Sequence, residues 1–110
     1  MVASKRKILW DSKAIDSLKS IFLYLKFKAS LIVANQVRDK ILNEVKSLNS
    51  FPEKYPKEPN LLNLKGDFRF KLVWNYKIIF EVLPDRILIL DIFHTSRNPI
   101  KISQKDSKPD

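Results

Sequence analysis

The chain divides by the period of its apolar residues. Leu18, Ile21, Phe22 and Leu25 stand at the spacing of one face of an α-helix. Lys13, Asp16, Lys19 and Ser20 fall largely off that stripe, as solvated positions should. Asp11 and Ser12 offer N-cap oxygens, and the helix is expected to end near Lys28 and Ala29. Ser30 can cap a second helix, in which Ala34, Val37, Ile41, Val45 and Leu48 recur every three or four residues. Asn49, Ser50 and Pro52 stop it. Two amphipathic helices joined by a few residues fold back as an αα-hairpin.

After Asp67 the period changes to two. Phe68, Phe70, Leu72 and Trp74 alternate with Arg69, Lys71 and Val73, which predicts a strand whose aromatic set faces the helices. Asn75 reads as a tight turn, and Tyr76, Ile78, Phe80 and Val82 alternate again. Beyond the turn pair Pro84 and Asp85, residues Arg86 to Phe93 are apolar on both faces, the mark of a covered central strand. Near the N-terminus, Lys5 to Trp10 ends in β-compatible residues and predicts a first strand. Ser50 to Asp67 carries Pro52, Pro56 and Pro59 and reads as a surface loop with room for a 3₁₀ turn. Tyr55, Leu61, Leu62 and Leu64 are its expected anchors. The order β-α-α-β-β-β predicts an α+β fold, a small, mainly antiparallel sheet packed against the αα-hairpin. Residues 1–100 form the one domain, and 101–110 a polar tail.

Composition narrows the chemistry. With 110 residues, 45% of them hydrophobic, the chain can bury one core and is not a disordered basic tail. Gly66 is its only glycine, which excludes Gly-rich phosphate loops and a Gly-x-Ser-x-Gly nucleophile. The lack of cysteine excludes disulfides, zinc ribbons and a thiol nucleophile. Twenty-one Lys and Arg against twelve Asp and Glu leave +9, a field that attracts nucleic acid, an anionic surface or an acidic protein. The most apolar stretch, Ile21 to Ala34, is broken by Lys26 and Lys28, so no membrane span is expected. The basic N-terminus lacks the apolar core of a leader because Asp11, Lys13 and Asp16 intervene. The expectation is a soluble, cytoplasmic protein with no membrane partner.

Candidate site residues follow from the strands. If the aromatic set of the first long strand is buried, Arg69 and Lys71 share the opposite face, and Lys77 joins them from the next strand. The last strand ends at His94 and Arg97. Such a patch suits phosphate oxygens; an ordinary solvated sheet face is the alternative. His94 is the lone imidazole, either a general base or a structural strand-end residue. Arg97, Asn98 and Pro99 read as an anion hook or as a strand-terminating turn. One His, no Cys and scattered carboxylates make a poor ligand set, so neither metal nor cofactor is expected.

Taken together, the pieces resemble the ParE/RelE superfamily of bacterial toxins. The resemblance rests on Trp10, Ala14 to Leu18, Ile21 and Tyr24, then on Leu48 with Phe51 and Pro52. It continues through Phe68 and Arg69, Tyr76 to Phe80, Ile87 to Leu90, and His94 to Pro99. It implies a type II toxin held inactive by a cognate antitoxin, often acidic in the segment that wraps the toxin. RelE-like members cleave mRNA on the ribosome, and ParE-like members poison DNA gyrase. On the first reading Arg69, Lys71 and Arg97 would stabilise the scissile phosphate and His94 would move a proton. On the second, Arg69, Lys71, Lys77 and Arg97 are target-docking candidates without catalytic duty. No Tyr follows Arg97, and the long first helix led by Trp10 is ParE-like, so the gyrase expectation comes first. A non-toxic nucleic-acid-binding module is the remaining alternative.

Overall fold

The computed structural model describes residues 6–96. Its elements run β1 (Lys7–Trp10), α1 (Ser12–Lys28), α2 (Leu31–Lys46), β2 (Phe68–Val73), β3 (Tyr76–Val82) and β4 (Arg86–His94). The expected order β-α-α-β-β-β is therefore observed. The four strands form one mixed sheet in the order β1-β4-β3-β2, parallel only between β1 and β4. β4 is the covered inner strand that its apolar sequence predicts.

Local chemistry sets the helix ends. The Asp11 carboxylate accepts from the Lys13 backbone N–H at 2.9 Å, and the Ser30 hydroxyl accepts from that of Val33 at 3.1 Å. Each satisfies an amide left without an intrahelical partner. Only Ala29 and Ser30 separate the helices, so α2 must fold back along α1. Ala34, Val37, Ile41, Val45 and Leu48 are all buried, as their spacing requires. All but Ala34 meet Ile78, Phe80, Ile87, Ile89 and Ile92 of the sheet, with Leu18, Ile21 and Leu25 of α1 alongside. This is the main core.

A second, smaller cluster lies on the far face of the sheet. There Leu61, Ile79 and Phe93 are buried, with Phe68, Phe70 and Leu90 packed against them. The aromatic residues of β2 thus point away from the helices, opposite to the expectation. The cause is the turn. Val73 pairs with Tyr76, so Trp74 and Asn75 together form a two-residue turn. Directly paired residues of antiparallel strands share a face, and a turn one residue longer exchanges the two faces of β2. Trp74 holds a left-handed φ of 52° in that turn, a conformation its bulky side chain does not advertise.

The segment between α2 and β2 wraps the β2 edge of the sheet, with Leu48 and Tyr55 in the main core and Leu61 on the far face. It contains three 3₁₀ turns, Ser47–Asn49, Pro52–Lys54 and Pro59–Leu61. Tyr55 packs edge-on against Phe80, and Leu61 is buried, but Leu62 and Leu64 are exposed and anchor nothing. Glu58 is fully buried and meets Lys77 Nζ at 2.7 Å. The Glu58 N–H donates to the Phe68 carbonyl, and the Phe70 N–H to the Pro56 carbonyl, so the loop borrows the edge of β2. Gly66 has φ 131°, and a Cβ there would stand 2.7 Å from a Phe68 ring carbon.

Truncating Ile41 to Ala should destabilise the fold by about 2–5 kcal/mol, because the cavity lies between helix and sheet. Phe27→Ser, at a position 81% exposed, should change stability by less than about 0.5 kcal/mol. Urea unfolding of the two variants checks both figures.

Candidate functional site

The exchanged faces redistribute the basic residues. Arg69 and Lys71 lie on the helix-facing side of β2, paired with Phe80 and Ile78, whereas Lys77 lies on the far side opposite Leu72. The single patch expected from alternation does not form. Each cation is engaged instead. Arg69 Nε stands 2.9 Å from Asp67, and its Nη1 donates to the carbonyls of Glu53 at 2.9 Å and Tyr55 at 2.6 Å. Lys71 pairs with Glu44 of α2 at 3.1 Å and lies over the Tyr55 ring. Lys77 pairs with Glu58 and lies 4.3 Å from the Phe70 ring centroid. Arg97, with Asn98 and Pro99, lies outside the described residues.

His94 belongs to a different place. A cleft of about 830 Å³ opens between α1 and the adjoining ends of β3 and β4. Lys13, Asp16 and Tyr24 line it from the helix, and Tyr76, His94 and Ser96 from the sheet. On strand spacings of ~3.3 Å per residue and ~4.8 Å between strands, Arg69 and His94 stand roughly 16 Å apart at their Cα atoms. The structure therefore holds Arg69 and His94 apart.

The His94 ring is oriented by its own neighbour. The Ser96 backbone N–H donates to Nδ1 at 3.0 Å, and the Ser96 hydroxyl lies 2.8 Å from the same nitrogen. A backbone N–H can only donate, so Nδ1 is an acceptor and the neutral ring carries its proton on Nε2. In this arrangement His94 offers a donor, and acting as a base would require giving up the bond to Ser96.

Tyr76 lines the cleft and Asp91 bonds to Ser17 of its wall, and neither was among the site candidates read from the sequence. The pairing of β3 with β4 shifts register between Ile79 and Phe80, and Asp91 reaches α1. Its carboxylate accepts from the Ser17 hydroxyl at 2.6 Å and the Ile92 N–H at 2.9 Å, with Lys13 Nζ at 3.5 Å. The sequence signal was present: Asp91 is the one acid in a strand apolar on both faces, where a charge needs partners. Burial, with Tyr24 nearby, pushes the Tyr76 phenol above its usual value. Tyr76 gave no such signal, because its spacing is that of a core aromatic. Among the described residues, no group of three or more His, Asp or Glu is placed to hold a metal. Nor is any helix there long and apolar enough to cross a membrane.

The architecture now has a counterpart in sequence. The family model for the ParE toxin of type II toxin–antitoxin systems, parDE, matches residues 8–99. The chain belongs to that family. A solved chromosomal ParDE TA system from P. aeruginosa has a chain 22% identical, with a TM-score of 0.69 over 82% of this chain and 96% of that one. That likeness is one of fold. The RelB–RelE antitoxin–toxin complex from Methanococcus jannaschii superposes at a TM-score of 0.47, with 20% identity over 92% of this chain and 99% of that one. It is too distant to carry an argument. Comparison with curated protein sequences returns no match. This ParE-family chain thus has the hairpin and sheet of a type II toxin, with Arg69, Lys71 and Lys77 in ion pairs.

Those pairs have a pH signature. Hydrogen bonds from Lys40 and Lys71 hold the Glu44 carboxyl below its usual value. Burial works to raise Asp67, but Lys57 and Arg69 more than offset it, and the net shift is downward. A carboxyl with a depressed folded-state pKa contributes stability above its unfolded value and loses it as pH falls through the folded one. The thermal midpoint should therefore drop between about pH 5 and about pH 3. The drop should be smaller in the Glu44→Gln, Asp67→Asn double variant, measured by circular dichroism.

Proposed function

We propose that this ParE-family toxin arrests growth by acting on DNA gyrase, in the cytoplasm, and that a cognate antitoxin neutralises it. Membership of the ParE toxin family supports the toxin role, and the fold shared with a ParDE complex supports an antitoxin partner. A net charge of +9 suits an antitoxin that is acidic in its wrapping segment.

One observation carries the choice of gyrase over the ribosome. A ribonuclease must aim cations and a proton-transfer group at one phosphate. Here Arg69 and Lys71 are turned into ion pairs, Lys77 is on the other face, and His94 is oriented as a donor. A toxin that works by docking on a protein has no need of that convergence.

The test is the purified chain in two reconstituted assays. With gyrase and plasmid, supercoiling should fall and cleaved DNA should accumulate. With ribosomes and mRNA, the message should remain intact. Codon-dependent mRNA cleavage with gyrase unaffected would contradict the proposal and return Arg69, Lys71, His94 and Arg97 to candidacy as catalytic groups.

A further inference from the structure

We propose that the tip of the αα-hairpin binds the surface of an anionic lipid bilayer, with Phe27, Leu31 and Ile32 entering the interface and lysines on the headgroups. Phe27 is 81% exposed, Ile32 70% and Leu31 52%, with Leu23 one turn behind Phe27 at 50%. They lie on either side of Ala29 and Ser30, where the chain reverses from α1 into α2. Scattered apolar residues on a surface are ordinary, but a cluster of large ones marks a surface that meets something apolar.

The charge around the tip names the occupant. From Ser17 to Arg38 the sequence holds Lys19, Lys26, Lys28 and Arg38 and no carboxylate. Arg38 is turned to the Phe22 ring and to Asp39. The lysine ion pairs among the described residues involve Lys13, Lys40, Lys57, Lys71 and Lys77, and none of the other three. On the sheet, by contrast, Arg69, Lys71 and Lys77 are each spent on a carboxylate. Lys26 and Lys28 flank Phe27, and their long stems let the ammonium groups stay at phosphate level while the ring goes deeper.

The distribution selects a bilayer over a partner helix or a second copy. A helix docks along an apolar stripe several turns long. Here the exposed positions turn largely polar away from the tip, with Asp16, Lys19 and Ser20 on α1 and Gln36, Asp39 and Asn43 on α2. A second copy would bring the same unpaired lysines against one another. A bilayer surface takes a projecting apolar end without a matching groove, and anionic headgroups neutralise the lysines. The lack of a spanning helix among the described residues does not oppose this, since an interfacial contact needs none.

The experiment mixes the full chain with vesicles of phosphatidylglycerol and phosphatidylcholine in equal parts, or of phosphatidylcholine alone, and reads the bound fraction by flotation. The mixed vesicles should bind at least about tenfold more tightly than the neutral ones, and added salt should weaken them. Phe27→Ser with Ile32→Ser should lower binding about tenfold and leave the thermal midpoint in place, since both side chains are already in solvent. Lys26→Gln with Lys28→Gln should remove most of the preference for the anionic lipid. The proposal is overturned if mixed vesicles fail to bind the wild type, if neutral vesicles bind it equally, or if either double variant binds unchanged. Sedimentation without lipid tests the second copy: a dimer that the serine substitutions dissolve would contradict the proposal. So would a serine variant that keeps its vesicle binding but no longer co-purifies with a co-expressed antitoxin, which gives the tip to a protein. No gyrase enters the vesicle assay, so its outcome is independent of the target.

Discussion

A central strand that is apolar on both faces must be covered twice. β4 turns Ile87, Ile89 and Ile92 to one side and Leu90 and Phe93 to the other. The helical hairpin covers the first with a continuous stripe of side chains. The second has only the loop between α2 and β2, which brings one buried leucine, Leu61. Polar contacts supply what hydrophobic area does not. Glu58 with Lys77, Asp67 with Arg69, and the backbone bonds to Phe68 and Phe70 hold the loop against the sheet. Burying a charge is unfavourable unless it is well paired, so Glu58 and Lys77 depend on each other. The loop depends on both.

That dependence bears on function. In a chain with a charge of +9, basic residues on a sheet invite a reading as phosphate ligands. The structure gives three of the four candidates to fold stability, and the fourth, Arg97, lies outside the described residues. The region left open to chemistry is where α1 passes over the sheet beside Ser96. There Ser17, held by Asp91, and His94, held by Ser96, line a cleft. Loop attachment and the cleft are thus built from separate residues of one small sheet.

Much of this architecture was legible in the residues. Both helices, their caps, the buried face of α2 and the inner position of β4 follow from spacing and from two polar cap residues. The assignment of faces in β2 was not legible. Alternation gives two sets of side chains but not their sides, and the answer turned on whether Asn75 made the turn alone or with Trp74. A Trp at positive φ is a poor advertisement for a turn. Glu58 was hidden differently: a carboxylate between two prolines reads as loop, and its burial exists only once Lys77 is placed above it. In the cleft, His94 was visible as the only imidazole, but its tautomer depends on a backbone N–H that no pattern reveals. The partnership of Asp91 with α1 required the register shift.

The central claim is that the sheet cations secure the fold. A double-mutant cycle on Glu58 and Lys77, followed by urea unfolding, tests it most directly. Lys77→Met alone should cost about 3–5 kcal/mol, since it leaves a buried carboxylate without a countercharge, held only by the Asn60 bonds. Adding Glu58→Gln should recover most of that loss, giving a large coupling energy. If Lys77→Met leaves stability unchanged and the two effects simply add, Lys77 is available to a ligand or target, and the account fails.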